Sequence, residues 1–554
     1  MNNYYDALGL ALTAHSEAGQ RRERVLKAIP WSPTPTTRVS YIAANRVLII
    51  ASEEKALEIE SKLPPKMATY LAILSDESGI SMISNGWRVE RLTLDGYLGK
   101  FSAIVGSGDE EAGNLGELFN IDGGYFDHVI DDSDEPLIRA AIKPPGYYYI
   151  ASDDDLDNAL GAIPEYIGEF EKPKFFDYDA SICAHGRSGV AGCRRCLDAC
   201  PTEAIISIGE QIEVNPYLCQ GGGSCASSCP SGAIRYVYPP ANEQIALVRQ
   251  IVRSVRMDGG EDHALDKAGL SLLVFDHEHG REVLDNHIDE LGESIIPVAV
   301  EEIGCLGVDF LSSALAYGVS ELVLFVPDSV PSQVKNVLID NQHMVESVIA
   351  QMGQPHTIKM IEELDGLRAA DTTVSLNGAT FAATGNKRGI VRAALGHLNQ
   401  TAPQPKEVVS LPERSMFGQL NLKQEACTLC MGCVSVCPGN ALAAGGESPA
   451  LRFIEANCLQ CGICEKACPE SAIGLEPRLH FDINVVNALR TLKEEEPFLC
   501  VSCHKPFATK AMIDKMTEKL KGHWMFDSPK SLKRLQMCED CRVVDMFDEK
   551  DMIG

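Results

Sequence analysis

Cysteine dominates the possible chemistry of this sequence, and its distribution along the chain is strongly uneven. The chain has 554 residues and 20 cysteines, none of them before Cys183. Seven lie between Cys183 and Cys229, eight between Cys427 and Cys468, and four close the chain, while Cys305 stands alone. We expect a reducing compartment, because no basic segment followed by an apolar run opens the chain. Cysteines in such a compartment bind metals more often than they form disulfides, so the blocks predict metal centres.

The second block carries the clearest pattern, C-x2-C-x2-C-x3-C-P, which occurs twice. A cubane cluster needs four thiolates from different directions; the tight loop supplies three, and the cysteine of each Cys-Pro step ligates the neighbouring cluster. At every cysteine this block resembles the bacterial two-cluster ferredoxins. The assignment gives one [4Fe–4S] cluster to Cys427, Cys430, Cys433 and Cys468, and another to Cys458, Cys461, Cys464 and Cys437.

The first block repeats this module with a displaced first ligand. The spacing of the later cysteines is kept, but the first one lies upstream, before an insertion that contains His185. A longer loop costs little extra closure entropy, so the displaced cysteine can still complete a site. We expect His185 to be an exposed loop residue. The third predicted [4Fe–4S] cluster is held by Cys183, Cys193, Cys196 and Cys229.

The other half of the first block lacks one cysteine, because Gly222 stands at the middle position. The thiolates that remain, those of Cys200, Cys219 and Cys225, suit a [3Fe–4S] cluster or a [4Fe–4S] cluster with one non-cysteine ligand. An empty half-site is the alternative.

Cys305 follows a predicted strand and precedes a predicted helix, a position that stabilises a thiolate. Its surroundings resemble the iron–sulfur delta subunit associated with methyl-viologen-reducing hydrogenases. An inert buried thiol and a fourth ligand for the three-cysteine site are both open interpretations.

The C-terminal block has two C-x2-C pairs around a predicted helix at 509–521. Four thiolates in this arrangement predict a tetrahedral zinc site in a ribbon-like module, with Lys505 and Arg542 tempering its negative charge. A further iron–sulfur cluster and a redox dithiol are the alternatives. The predicted zinc ligands are Cys500, Cys503, Cys538 and Cys541.

The segments between these blocks must position them. Residues 1–29 predict one amphipathic helix, and 46–51 and 53–63 predict a strand and a helix. The acidic run 131–135, which ends an acidic and glycine-rich stretch at 106–135, predicts a solvated loop, or else a docking surface for a basic partner. Between 242 and 400, β-rich runs alternate with helical ones, which predicts βαβ units and a parallel sheet. No glycine fingerprint for a nucleotide is present there.

These elements predict an α/β multidomain chain in which two ferredoxin-like (α+β) iron–sulfur modules flank a flavodoxin-like or Rossmann-like parallel-sheet domain, with a zinc-ribbon-like module at the end. The expected boundaries are an N-terminal α/β domain at 1–165, ferredoxin module 1 at 166–240, the α/β domain at 241–405, ferredoxin module 2 at 406–478 and the zinc module at 479–554.

Charge and hydropathy exclude several classes of function. The formal net charge is −29, which argues against binding to nucleic acid or anionic lipid. No apolar run reaches the roughly 20 residues of a transmembrane helix, so we expect a cytoplasmic protein. No nucleophile–base pair or open metal position stands out, so an electron carrier is expected rather than an enzyme with its own catalytic site.

The whole layout resembles the proteobacterial 4Fe-4S binding proteins, a polyferredoxin-like group, in the segments 125–148, 183–201 and 500–510. Genes of that group often lie beside formate dehydrogenase genes. The resemblance therefore implies electron transfer to or from formate dehydrogenase or a related oxidoreductase. Two alternatives stay open: a maturation or scaffold factor for an iron–sulfur or molybdenum oxidoreductase, and a redox subunit with its own flavin site.

Overall fold

The computed structural model describes residues 3–75, 79–83, 86–107, 110–259, 269–364, 367, 378–446, 448–526 and 528–550. It is a mixed α/β chain. Among the described helices, none combines the length and the apolar character needed to cross a membrane.

The N-terminal region is built on a six-stranded sheet of order β10-β9-β2-β3-β5-β4, parallel except at β4. The central strand β2 is an apolar run buried along almost its whole length, as expected for a parallel strand covered on both faces. Strands β6, β7 and β8 form a separate antiparallel sheet, and β1 pairs with β11. The elements are α1 (Tyr4–Leu8), α2 (Glu17–Lys27), β1 (Arg38–Ala43), β2 (Arg46–Ala51), α3 (Glu53–Lys62), β3 (Ala68–Leu74), β4 (Ile80–Ile83), β5 (Gly86–Val89), β6 (Arg91–Asp95), β7 (Ser102–Ser107), β8 (Glu110–Asn114), α4 (Leu115–Leu118), β9 (His128–Asp131), β10 (Tyr147–Tyr149), α5 (Asp153–Ala162) and β11 (Gly168–Pro173).

One prediction for this region is wrong. The single helix at 1–29 is two helices, because Gly9 adopts a left-handed conformation (φ 62°) that ends α1 and Ser16 caps the start of α2. The acidic run 131–135 begins at the last residue of β9, and Asp134 and Glu135 in it are exposed to solvent, as expected for a solvated loop. Asp131 is fully buried there, because its carboxylate accepts hydrogen bonds from Tyr147 and from the backbone N–H of Leu137.

Module 1 places two short helices, α6 and α7, in contact between small antiparallel pairs of strands. Strand β12 pairs with β17, β15 pairs with β16, and the insertion before Cys193 folds as the small hairpin β13–β14. The elements are β12 (Phe176–Tyr178), β13 (Gly186–Arg187), β14 (Val190–Ala191), α6 (Arg195–Ala199), β15 (Ile205–Ile208), β16 (Gln211–Val214), α7 (Ser224–Ser228) and β17 (Ile234–Tyr236).

The central region contains the expected parallel sheet, with four strands in the order β19-β18-β20-β21. Its hydrophobic core includes Tyr4, Leu8 and Leu26 of the N-terminal helices, which therefore pack on this region. The elements are α8 (Ala241–Gly259), β18 (Leu270–Asp276), α9 (Arg281–Asn286), β19 (Ile295–Val300), α10 (Val308–Tyr317), β20 (Val319–Phe325), α11 (Ser332–Gln351), β21 (Thr357–Ile361) and α12 (Lys387–Gln400).

Module 2 and the tail complete the chain. Two three-stranded sheets, of order β22-β26-β23 and β24-β25-β27, frame the second cysteine block, and β28 pairs with β29 in the tail. The elements are β22 (Val408–Ser410), β23 (Gly418–Leu422), α13 (Gly432–Ser435), β24 (Leu442–Ala444), β25 (Ala450–Phe453), α14 (Ile463–Lys466), β26 (Ile473–His480), α15 (Ile483–Asn487), β27 (Arg490–Glu494), β28 (Pro497–Leu499), β29 (Pro506–Thr509), α16 (Lys510–Leu520), α17 (Pro529–Arg534) and α18 (Glu539–Lys550).

Candidate iron–sulfur and metal centres

Module 2 contains two small apolar cavities, each lined by four cysteines. In each cavity three cysteines come from one repeat and the fourth comes from the Cys-Pro step of the other repeat, which is the crossed arrangement that the spacing predicts. Leu451 and Ile473 line the first cavity, and Leu420 and Phe453 line the second. The first set is Cys427, Cys430, Cys433 and Cys468, and the second is Cys437, Cys458, Cys461 and Cys464.

Backbone N–H groups point at the sulfur atoms of both Cys-Pro cysteines. Ala441 N donates to Cys437 Sγ and Ala472 N donates to Cys468 Sγ, each at 3.3 Å. Gln460 donates through its side chain to Cys458 Sγ, also at 3.3 Å. Such N–H···S contacts stabilise thiolate ligands and tune the potential of an iron–sulfur cluster.

Burial works against thiolate charge in these cavities. Desolvation raises the pKa of Cys433 to about 12 and that of Cys461 to about 11, and it also raises the pKa of Cys427. A thiol whose pKa is raised in this way stays protonated without a metal, whereas bound iron favours the thiolate. Convergent sulfur atoms, apolar walls and N–H donors together fit a [4Fe–4S] cluster in each cavity.

In module 1, four cysteines line one cavity together with Tyr178, Ile212 and Ile234. Burial raises the pKa of Cys193, whereas Cys229 has a lowered pKa because Lys387 and neighbouring N–H groups outweigh its desolvation. The displaced first cysteine thus reaches the site, as its long loop allows. The four are Cys183, Cys193, Cys196 and Cys229.

The prediction that His185 is exposed is wrong: it is only 5% exposed and lies against this cavity. Its Nδ1 lies 2.9 Å from the carbonyl oxygen of Cys193, and its Nε2 lies 2.7 Å from Ser207 Oγ. The reason is the β13–β14 hairpin, which folds the insertion back over the cavity. His185 therefore ties the hairpin both to a predicted ligand and to β15.

The remaining three cysteines of module 1 also come together. Next to burial, the neighbouring groups that act most strongly on the pKa of Cys225 are Cys200 and Cys219. Burial raises the pKa of Cys225 well above its usual range and that of Cys219 to about 11. A Cβ atom on Gly222 would lie 3.5 Å from Pro201, which is ordinary van der Waals contact, so the backbone there has room for a side chain.

The backbone of Cys305 contacts the loop of this half-site, whereas its sulfur atom contacts the side chain of Gln244. A Cβ on Gly223 would come within 2.6 Å of the Cys305 backbone, so the two loops are in close contact. The Sγ of Cys305 lies 3.3 Å from both polar atoms of the Gln244 amide. Burial raises the pKa of Cys305 to about 12, because desolvation outweighs the nearby helix start, and this favours the interpretation of an inert buried thiol.

The four C-terminal cysteines form the tightest sulfur cluster among the described residues. One ligand atom from each lies within 4.8 Å of the other three, and the Sγ atoms of Cys503 and Cys538 are 3.6 Å apart. Burial raises the pKa of Cys500, but the N–H groups of Cys503, Cys538 and Ser502 point at its sulfur atom and stabilise the thiolate. The net effect lowers the pKa of Cys500 to about 6. Lys505 pairs with Asp540 at 3.3 Å. The group, which Cys541 completes, fits a tetrahedral metal ion.

The two ferredoxin modules abut at their cysteine sites. Cys193 of module 1 and Cys461 of module 2 line one shared cavity. Lys466 of α14 donates to the carbonyl of Ala191 at 3.0 Å, and Arg187 donates to the carbonyl of Cys437 at 3.1 Å. The insertion hairpin of module 1 is therefore fastened to a ligand loop of module 2.

Two basic residues at the start of α12 bind both modules, a role that the sequence alone does not predict. Lys387 donates to the carbonyls of Ala226 at 2.8 Å and Ser227 at 2.6 Å, at the end of α7 in module 1. Arg388 donates to the carbonyl of Cys458, at 2.8 Å, in module 2. Cations at a helix N-terminus are electrostatically unfavourable. The position of this Lys-Arg pair was the only feature of the sequence that could have indicated its contacts with the two modules.

Comparison with known proteins supports the iron–sulfur interpretation. The model of the 4Fe-4S dicluster domain matches residues 426–472, and that of the 4Fe-4S binding domain matches residues 212–235. The ferredoxin-type protein NapF of Escherichia coli strain K12, and its counterpart in strain O157:H7, are each 47% identical over 51 residues. That segment is 8% of this chain and 31% of the relative, so the similarity spans about a third of the curated proteins. The chain thus contains 4Fe-4S ferredoxin domains.

Proposed function

We propose that this chain is a cytoplasmic iron–sulfur electron-transfer protein in which both ferredoxin modules form one continuous relay. Three [4Fe–4S] clusters occupy the three four-cysteine cavities, and a [3Fe–4S] or [4Fe–4S] cluster occupies the site of Cys200, Cys219 and Cys225. When bound, such clusters accept and donate single electrons without other chemistry. The C-terminal cysteines hold a structural zinc ion in a ribbon-like module, and the central sheet belongs to a flavodoxin-like domain.

The observation that carries this proposal is the cavity shared by Cys193 and Cys461. A ligand of each module lines the same space, so no further domain separates the predicted clusters on the two sides. Lys466 and Arg187 cross this junction with hydrogen bonds. The sites thereby follow one another from the three-cysteine site through Cys193 and Cys461 to the site that contains Cys430.

The central region supports the relay by holding its two halves together. Lys387 and Arg388 are adjacent in the chain, yet each binds carbonyl groups of a different module. Because both start the same rigid helix, they limit movement of one cysteine site relative to the other. This gives the central region a positioning role that needs no ligand of its own.

Formate dehydrogenase, or a related oxidoreductase, is the proposed partner. The support is the resemblance of residues 125–148, 183–201 and 500–510 to proteins encoded beside formate dehydrogenase genes. The net charge of −29, to which bound clusters add, favours a partner with a basic docking surface. Association should weaken as the salt concentration rises, since long-range charge attraction is screened.

The test is anaerobic analysis of iron, acid-labile sulfide and zinc in the purified holoprotein. The proposal predicts about 15–16 iron atoms and one zinc ion per chain, as the sum of the cluster types assigned here. Cys196→Ala in module 1 and Cys464→Ala in module 2 form a matched pair, and each should remove about four iron atoms. A wild-type iron content near 8 would contradict the assignment of module 1. A [3Fe–4S] signal in the oxidised protein would identify the three-cysteine site.

A further inference from the structure

A group of metal-ligating side chains that includes no cysteine lies at the carboxyl edge of the central sheet, next to Cys305. Asp276 ends β18, His279 lies in the following turn, and Glu302 follows β19. One ligand atom from each lies within 4.8 Å of the other two. We propose that Asp276, His279 and Glu302 bind a divalent transition-metal ion.

The imidazole of His279 provides the observation that points to a metal ligand. Its Nδ1 is buried and has no hydrogen-bond partner within the part of the chain that the structure describes. This nitrogen faces Oδ2 of Asp276 across 3.5 Å, longer than a hydrogen bond. A buried ring nitrogen without a hydrogen bond is costly, and coordination of a metal by its lone pair removes that cost.

The charges around His279 favour a cation. Asp276 is fully buried, Glu302 is 9% exposed, and a carboxylate oxygen of each lies within 4.8 Å of the other. The nearby guanidinium of Arg281 is directed elsewhere, toward the carbonyl of Gly9 at 3.1 Å and toward Asp285. Contacting carboxylates repel each other in a poorly solvated site, and a divalent ion between them reverses this repulsion.

The backbone already fixes the site. Oδ1 of Asp276 accepts hydrogen bonds from the N–H groups of His279 and Gly280, both at 2.8 Å. Oδ2 accepts from the N–H of Ile303 at 3.3 Å, which ties the loop after β19 to the end of β18. The three ligands are thus held before a metal binds, at the edge where parallel sheets usually bind ligands.

The ligand types indicate the class of metal. Two carboxylates with one imidazole suit Mn²⁺, Fe²⁺, Co²⁺ or Zn²⁺, whereas Mg²⁺ and Ca²⁺ prefer oxygen ligands alone. The absence of thiolates separates this site chemically from the cysteine centres, which favour softer metals and clusters.

The test uses Mn²⁺ as the probe, added to anaerobic holoprotein with its iron and zinc in place. Room-temperature electron paramagnetic resonance (EPR) detects free Mn²⁺, so the loss of that signal counts bound ions. We expect one bound Mn²⁺ per chain, and a loss of affinity of at least about tenfold in both Glu302→Gln and His279→Ala. Glu282→Gln, which removes an exposed carboxylate from the first turn of α9, is the matched control and should bind like the wild type.

Circular dichroism and iron content verify that each variant is folded. Because two different ligands are replaced, the second variant still tests the proposal if the first does not fold. Retained Mn²⁺ affinity in a folded Glu302→Gln or His279→Ala, or no binding by the wild-type protein at millimolar Mn²⁺, would overturn the proposal. Displacement of Mn²⁺ by an equal concentration of Mg²⁺ would overturn the role of His279, because a site with an imidazole ligand discriminates against Mg²⁺.

Discussion

Arg388 is the buried cation beside the site of Cys458, and its replacement tests how the protein sets the potential of that site. The guanidinium donates to the carbonyls of Cys458 at 2.8 Å, of Ala456 at 3.1 Å and of Met416, and stacks over the ring of Phe417 at 4.5 Å. Burial lowers the pKa of Arg388 to about 10, so it still carries its charge at neutral pH. Arg388→Met keeps most of the side-chain length and removes the charge.

The expected change in potential follows from Coulomb's law. At a charge separation of about 8 Å and an effective dielectric constant of about 20, one positive charge stabilises one added electron by ~2 kcal/mol. For a one-electron couple, a tenfold change in the equilibrium constant corresponds to about 59 mV. An energy of ~2 kcal/mol is therefore equivalent to a shift of ~90 mV in the reduction potential. The loss of Arg388 should lower the potential by this amount, because the reduced and more negative cluster loses more stabilisation than the oxidised one.

An EPR-monitored redox titration measures this shift. Arg392→Met is the matched control, since Arg392 stacks on the same Phe417 ring at 4.6 Å but donates to His480 instead of a cysteine. We expect its effect to be less than half that of Arg388→Met. Arg388→Lys should largely retain the wild-type potential because it retains the charge. Equal potentials in the wild type and Arg388→Met would show that the charge of Arg388 does not set the potential of this site.

Three further predictions concern single contacts. His185→Ala removes the contacts to Cys193 and Ser207, so it should lower the free energy of unfolding by ~1–3 kcal/mol and speed the bleaching of visible absorption by a chelator; an unchanged rate would contradict the role of His185. Cys538→Ser should abolish zinc binding without changing the iron content. If this site held iron, metal analysis of the variant would instead show a loss of iron with the zinc content unchanged. Tyr147→Phe removes one of the two hydroxyl groups that donate to the buried Asp131 carboxylate, the other being that of Ser133, so denaturant titration should show a loss of ~1–3 kcal/mol in the free energy of unfolding; unchanged stability would exclude this contribution.

The crossed pairing of cysteines in module 2 could be predicted from the sequence because the spacing itself constrains the geometry. The tight loop places three sulfur atoms on one side, and the cysteine before proline is carried away from them, as at Cys437 and Cys468. The parallel strands β18, β19 and β20 were equally predictable, since each is a buried apolar run between helical segments.

Contacts between distant segments were not predictable in this way. The burial of His185 depends on a hairpin only two residues long in each strand, which leaves no periodic signal. Lys387 and Arg388 look like ordinary exposed cations of a helix start, and only the folded chain places carbonyl groups of two modules beside them. The position of Cys305 suggested a thiolate, yet burial, a tertiary property, decides its protonation.

The most direct test of the proposed relay is the magnetic interaction between clusters across the cavity that Cys193 and Cys461 share. In low-temperature EPR of the fully reduced protein, nearby paramagnetic clusters broaden each other's signals. Cys464→Ala removes the module 2 cluster at this junction, and Cys430→Ala, the control, removes the other one. We predict that the module 1 signal narrows in Cys464→Ala and stays broad in Cys430→Ala. A module 1 signal identical in the wild type and Cys464→Ala would contradict a continuous relay through both modules.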